Sequence, residues 1–351
     1  MAELTALAGT EPHRYRHRHR HAGAFPTPAA ARRYWLILIC LAIAAPALLF
    51  ANLAWDNPMP LGSRGFWRIA ELRATNMVIV VVVAFCQGIA TVAFHTITNN
   101  RIITPAIMGF ESLYRVVQTG AVFLFGVAGA TMVQGVWQYL GQVGLMVGFA
   151  ALLYGWLLTG RRAGIHLTLL VGIILGTGLG ALATFMQRLL TPGEFDVLTA
   201  RLIGSIANAD ATYLPAAMVL AGLAGGYLWL RARTLNVIAL GRDVATNLGI
   251  NHKRESIVML MLIAVLMAVT TSLVGPLAFL GFLVAMIAYQ LADTFDHRYL
   301  FPTVWLTGIV LLAGAYFVLR HLFYAEGSVG IIIEIVGGTF FIVHLLRKGR
   351  L

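Results

Sequence analysis

Long apolar runs separated by short polar breaks make up most of this chain. Their spacing predicts ten helices, near residues 34–54, 74–97, 104–127, 136–159, 165–188, 212–231, 255–273, 277–293, 302–321 and 329–346. Each run approaches the ~20 residues that an α-helix needs to cross a hydrocarbon layer. The strict alternation of a membrane barrel is absent. Two stretches interrupt the pattern. Residues 1–33 contain the basic run "HRYRHRHRH" from His13 to His21. Between the sixth and seventh runs, "ALGRDVATNLGINHKRE" places Arg242, Asp243, Lys253, Arg254 and Glu255 in one half-polar window.

Composition agrees with a multi-pass membrane protein. Of 351 residues, 59% are hydrophobic and only 11% charged, against roughly a quarter charged in soluble domains. The mean hydropathy is +0.82. The 36 glycines suit helices that approach closely in lipid. A net charge of +11 raises the question of nucleic acid, but its distribution answers for membrane orientation instead. With the N-terminus placed in the cytoplasm, only Arg64, Arg68, Arg73, Arg188, Arg201 and Arg320 fall outside. Every other Arg or Lys falls inside, Arg115 within a span excepted, as the positive-inside rule requires. Both termini and the half-polar window are then cytoplasmic.

The first 33 residues followed by apolar Leu36–Leu53 have the outline of a secretory leader. The apolar run lasts a full membrane thickness without a convincing cleavage site, so it reads as a retained first helix. The tail is expected to be disordered beside anionic lipid. Its arginines, alternating with histidines, set positive charge against a metal cation. Cys40 and Cys86 sit in apolar runs and offer neither a disulfide framework nor a thiolate site. No metal site is expected.

The half-polar window reads as two short helices. Leu235, Ile238 and Leu240 are the apolar positions of the first, and Gly241 ends it. Asp243 suits the start of the second. Val244, Ala245 and Leu248 form its apolar stripe, with Gly249 as a stop. Such a segment can lie on the bilayer surface or act as a rigid knob in another protein's groove. Lys253 and Lys348 are the only lysines, and neither sits in G-x-x-x-x-G-K-[ST]. This chain therefore has no P-loop of its own. A faint internal echo links "TPAIMGFESLYRVVQ" (104–118) with "GPLAFLGFLVAMIAYQ" (275–290), as repeated halves do in transporters.

Four ordered stretches carry a family resemblance. "IALGRDVATNLGINHKRE" is similar to the cytoplasmic coupling loop, about 234–254, of permease subunits of iron-siderophore and vitamin B12 ABC importers (FecCD-type). "ITNNRIITPAIMGFESLY" (97–114), "TSLVGPLAFLGFLVAMIA" (271–288) and "EGSVGIIIEIVGGTFFIVHLLRK" (326–348) resemble further family motifs in the same order. Together they cover most of residues 70–348. Where many members continue the Gly-Pro run with Pro-His and Arg, this chain has Ala285, Met286, Tyr289 and Gln290. That form is closer to the branch importing ferric catecholate-type siderophores. The resemblance implies an all-α membrane protein of about ten transmembrane helices, the type II ABC importer permease fold, occupying 34–348.

It also implies roles. Leu240, Gly241, Arg242, Ala245, Leu248 and Gly249 would dock on an ATPase, with Ala245, Leu248 and Gly249 giving fit. Arg242 either pairs with an acidic patch or is simply solvated. Arg73 and Arg320, with Glu326, would receive a substrate-binding protein; Arg64 and Arg68 join them by position alone, and all four arginines could instead anchor span ends at the interface. Within the spans, Glu111 and Arg115 stand four residues apart and are expected to form an internal salt bridge. Glu334 faces the pathway or a partner subunit, an open choice. The expected assembly has two ATP-binding subunits carrying ATP and Mg, a second permease (a heterodimer favoured over a homodimer) and a binding protein, in a bacterial inner membrane. This chain would hold no cofactor and catalyse no covalent reaction. Rival readings are a permease of the same fold for cobalamin, haem or another metal chelate, and an ion-coupled secondary transporter.

Overall fold

The computed structural model describes residues 23–55, 57–60, 62–131, 135–159, 165–207, 209–323 and 328–348, and all regular structure among them is helical. In chain order the helices are α1 (Pro28–Ala54), α2 (Arg64–Thr98), α3 (Phe110–Thr131), α4 (Val136–Thr159), α5 (Ile165–Gln187), α6 (Pro192–Leu202) and α7 (Leu214–Leu230). Then follow α8 (Ala232–Ile238), α9 (Arg242–Asn247), α10 (His252–Val274), α11 (Leu280–Ala292), α12 (His297–Leu322) and α13 (Val329–Lys348). Each of the ten expected spans meets one of the longer helices. Seven are long and apolar enough to cross a membrane, and Leu280–Ala292 and Val329–Val343 are shorter apolar helices. The third span, α3, carries Glu111 and Arg115 and breaks at Gly126, where φ is 65°.

Helices α2 and α10 form the centre, packed on one another and on α4, α7 and α12. Ile79, Val83, Ile89 and Phe94 of α2 and Ile263, Leu266 and Val269 of α10 are fully buried. The periphery is equally apolar: Leu36, Ile43, Leu152 and Leu223 are exposed, as lipid-facing positions must be when the surrounding solvent is hydrocarbon. Where helices cross, small residues let the backbones close. A Cβ on Gly88 would lie 3.2 Å from Val304, and one on Gly308 3.0 Å from Ala84. Polar side chains in this interior pair across helices. Gln87 donates to Thr270 at 3.2 Å, Asn52 to the Ala313 carbonyl at 3.1 Å and Trp305 to the Val81 carbonyl at 3.1 Å.

Three features depart from the sequence expectation, each for a local reason. Helix α1 begins at Pro28, inside the expected tail, because Thr27 accepts the Ala30 N–H and proline suits the first turn. Helix α6 is too short and polar to read as a span; the Glu194 carboxylate caps it by accepting the Thr191 N–H at 3.0 Å. The third feature is irregular backbone inside the bundle. A short 3-10 turn, Pro105–Met108, leads through Gly109 (φ 94°) into α3, and a Cβ on Gly176 of α5 would lie 2.9 Å from the Gly109 Cα. Likewise Gly204, Gly275 (φ 81°) and Ser328 meet at one point. There Ser205 N–H donates to the Val274 carbonyl at 2.8 Å, and the Ser328 hydroxyl donates to the Gly204 carbonyl. Such turns survive at depth only where protein supplies their hydrogen bonds.

Candidate functional site: a two-helix knob and the groove residues

The window between α7 and α10 folds as two short helices. Gly241 (φ 96°) turns α8 into α9, and Gly249 (φ 82°) ends α9, with Ile250 N–H bonding back to the Ala245 carbonyl at 3.0 Å. Both glycines occupy backbone that other residues rarely adopt, so the knob's shape depends on them. Ala232, Leu235 and Ile238 are buried and fix α8 against α2 and α12. Leu240 is 59% exposed, Val244 44% and Leu248 61%, with Arg242 also exposed. Three apolar side chains therefore stand out on the knob's surface. Ala245 does not join them. It is fully buried in the chain's own structure, because one position of a six-residue helix must face inward to hold it. The expected docking role of Ala245 is corrected to an internal packing role; the same stripe divides into Val244 and Leu248 outside and Ala245 inside.

Polar ties hold the knob's base. Asn236 of α8 donates to Asp296 at 2.9 Å, while its oxygen accepts the His297 N–H at 3.0 Å and His297 Nδ1 at 2.5 Å. Asp296 itself takes a forked bond from Arg298, at 2.6 and 3.0 Å. Burial alone would raise the Asp296 carboxyl, but hydrogen bonds from Arg298 and Asn236 overcome it and hold the group at about 2. On the other flank Arg231 pairs with Glu255, an ion pair bridging the ends of α7 and α10.

At the opposite end of the bundle, Arg64 and Arg68 are exposed at the start of α2. Arg73 is occupied, donating to the Leu53 carbonyl at 3.2 Å and the Trp55 carbonyl at 2.8 Å, where it caps α1. Arg320 is half-buried in the last turn of α12. Glu326 lies outside the described residues.

The expected salt bridge between Glu111 and Arg115 does not form. The ion pairs among the described residues are Arg231–Glu255 and Arg298–Asp296. One Glu111 carboxylate oxygen is buried without a partner, whereas Arg115 is exposed. Four-residue spacing sets both on one side of α3, where both border an open groove, but one glutamate oxygen is buried and the arginine is exposed. Gly176, Thr177, Gly180 and Ala278 line that groove with them. Glu334 is exposed on α13 within electrostatic reach of Glu111. No group of three or more His, Cys, Asp or Glu able to hold a metal occurs among the described residues.

Residues 32–347 match the FecCD transport family. The chain belongs to that family. It is 44% identical to the petrobactin import system permease protein FatC of Bacillus anthracis, over 92% of this chain and 91% of the relative. It is 36% identical to the petrobactin import system permease protein YclO of Bacillus subtilis (strain 168), over 90% and 97%. In structure it superposes on a metal-chelate type ABC transporter solved in an inward-facing conformation, with TM-score 0.75 and 21% identity over 89% of this chain and 99% of that one. That likeness establishes the fold.

One polar site in this FecCD-family chain escaped the sequence reading. A cavity of about 340 Å³ opens between α3, α4, α6 and α10, lined by Tyr114, Gln118, Gln142, Arg201, Tyr213 and Ser272 among others. Gln118 donates to Gln142 at 3.2 Å, and the Gln142 amide nitrogen is buried without a partner. The signal was present: glutamines at 118, 138 and 142 are costly in apolar spans and must face one another or water.

Proposed function

We propose that this chain is the membrane-spanning permease subunit of an ATP-binding cassette importer that carries a ferric siderophore inward. The knob of α8 and α9 carries the reading. It is stiffened by two glycine turns and buried packing, it exposes Leu240, Val244 and Leu248, and it belongs to a FecCD-family chain without a P-loop. Separate ATPase chains, two per assembly, dock on such knobs and hold the ATP and Mg; this chain binds no cofactor. Both termini and the knob face the cytoplasm of a bacterium, and the protein resides in its inner membrane. The exposed apolar face of α13 and the groove beside Arg115 meet a second permease, a different chain from this one, around a shared pathway. Arg64, Arg68 and Arg320, with Glu326, receive a binding protein on the outer face. Exposed ion pairs contribute only ~0–1 kcal/mol each, so that contact needs several and weakens with salt. Arg73 contributes to it indirectly, by holding α1 in place.

Petrobactin is the first cargo to test, since FatC and YclO carry that substrate in their names. The chain is reconstituted with candidate ATPase, second-permease and binding-protein chains, and uptake of iron-loaded petrobactin into liposomes is followed. Uptake that needs internal ATP and the binding protein supports the reading. Uptake driven by a proton or sodium gradient without ATPases would replace it with a secondary transporter. Transport of cobalamin or haem in place of siderophore would keep the architecture and change the cargo.

A further inference from the structure

A docked knob is useful only if its displacement reaches the long helices. Helix α9 packs on α8 and α10. Helix α8 is held against α2 and α12 by the buried Ala232, Leu235 and Ile238, and it also has a directional tie: among the described residues, Asn236 supplies the side-chain hydrogen bonds from within α8 to another helix. Both ends of its amide are used. The nitrogen donates to Asp296, the N-cap of α12, and the oxygen accepts from the backbone and ring of His297. Asp296 and His297 are 4% and 3% exposed and Asn236 is half-buried, so the α12 side of this cluster is shielded from water.

The chain of contacts continues past α12. The amide oxygen only accepts, so His297 Nδ1 donates to it, and the other ring nitrogen, Nε2, lies 2.7 Å from the Thr96 hydroxyl of α2. The neighbouring His95 meets the Tyr289 hydroxyl of α11 at 3.2 Å, and Arg101 lies 4.6 Å over the Tyr289 ring. Asn236 is thus the first member of a polar chain running from α8 through α12 to Thr96 of α2, beside which His95 makes a separate contact with α11. Apolar packing between α8 and its neighbours tolerates sliding; a half-buried amide held by three hydrogen bonds to Asp296 and His297 resists it.

We infer that Asn236 is a positioning residue that converts movement of the docked knob into movement of α12 and α2, so that ATP closure of the partner chains is spent on transport. This rests on the permease reading above. Nothing in the geometry requires Asn236 to touch the ATPase, since it faces Asp296 and His297 at the knob's base.

The test uses the full complex in proteoliposomes, with iron-loaded petrobactin as cargo, and compares siderophore moved per ATP hydrolysed. Asn236→Ala is expected to leave the ATPase chains bound and hydrolysing while that ratio falls about five-fold or more, the usual lower range of a coupling energy. Asn236→Asp should do the same, because it sets a carboxylate against Asp296. Adding Asp296→Asn to Asn236→Asp restores an amide–carboxylate pair and should recover part of the ratio. A purely structural role predicts instead that assembly and ATPase binding fall together with transport, and that outcome overturns the inference. So does an unchanged ratio in Asn236→Ala. Leu248→Asp separates the two levels. If it releases the ATPases while Asn236→Ala is silent, only the inference fails; if it leaves docking intact, the permease reading of the knob fails with it.

Discussion

Leu248 offers the sharpest measurement of the knob. Its side chain is 61% exposed in the isolated subunit, and burying a whole leucine contributes ~1.5–3 kcal/mol. Covering the exposed fraction on docking therefore stabilises the complex by about 1–2 kcal/mol. Leu248→Asp removes that term and buries a carboxylate opposite the ATPase, which adds a desolvation cost of its own. The affinity of the ATPase chain for the permease should fall at least about ten-fold. Biolayer interferometry on nanodisc-held permease reads this directly. The substitution lies on an exposed surface beside Gly249, so the permease itself should fold and purify as before. Equal affinity of wild type and Leu248→Asp would refute the claim that this face of α9 is covered by a partner.

Ala245→Arg should behave differently from Leu248→Asp: with Ala245 fully buried, arginine cannot fit. The α8–α9 segment should become cleavable by trypsin in the subunit alone. In Gly204→Ala the new Cβ would stand 2.3 Å from the Pro276 carbonyl oxygen; such overpacking costs about 1–3 kcal/mol or more, read as a lower midpoint in thermal unfolding in detergent. Arg73→Ala frees the Leu53 and Trp55 carbonyls and should raise hydrogen exchange at the end of α1, while Arg73→Lys restores part of the protection. Asp296 is held at about 2, a depressed value. Its contribution is complete above the ordinary carboxylate range near 4 and is lost only as pH falls towards 2. Protection of the α8–α12 junction should therefore not change from about pH 7.5 upward, where the Asp296 carboxylate is ionised and an imidazole such as that of the neighbouring His297 is neutral.

The long helices were legible because in a membrane the apolar run is the helix, and its length is fixed by the layer it crosses. Gly241 and Gly249 were legible too, as turns that end short helices. What pattern could not supply was depth. Ala245, Val244 and Leu248 look alike on a helical wheel, and only the way α9 folds back onto α8 and α10 decides which one turns inward. Glu111 and Arg115 failed for a related reason. Helical spacing gives the side a residue stands on, but whether two side chains meet depends on the direction each takes from the helix. Asn236 gave no signal, since its partners Asp296 and His297 lie about sixty positions away in sequence, and a lone asparagine in a polar loop looks solvated.

The meeting of Gly204, Gly275 and Ser328 bears on what a truncation would do. The Gly204 carbonyl belongs to the middle of the sequence, yet its donors, the Ser328 hydroxyl and, at 3.4 Å, the Gly330 N–H, come from the start of α13. A chain cut before Ser328 loses both donors at once, and an acceptor left unsatisfied in apolar surroundings costs about 1–3 kcal/mol.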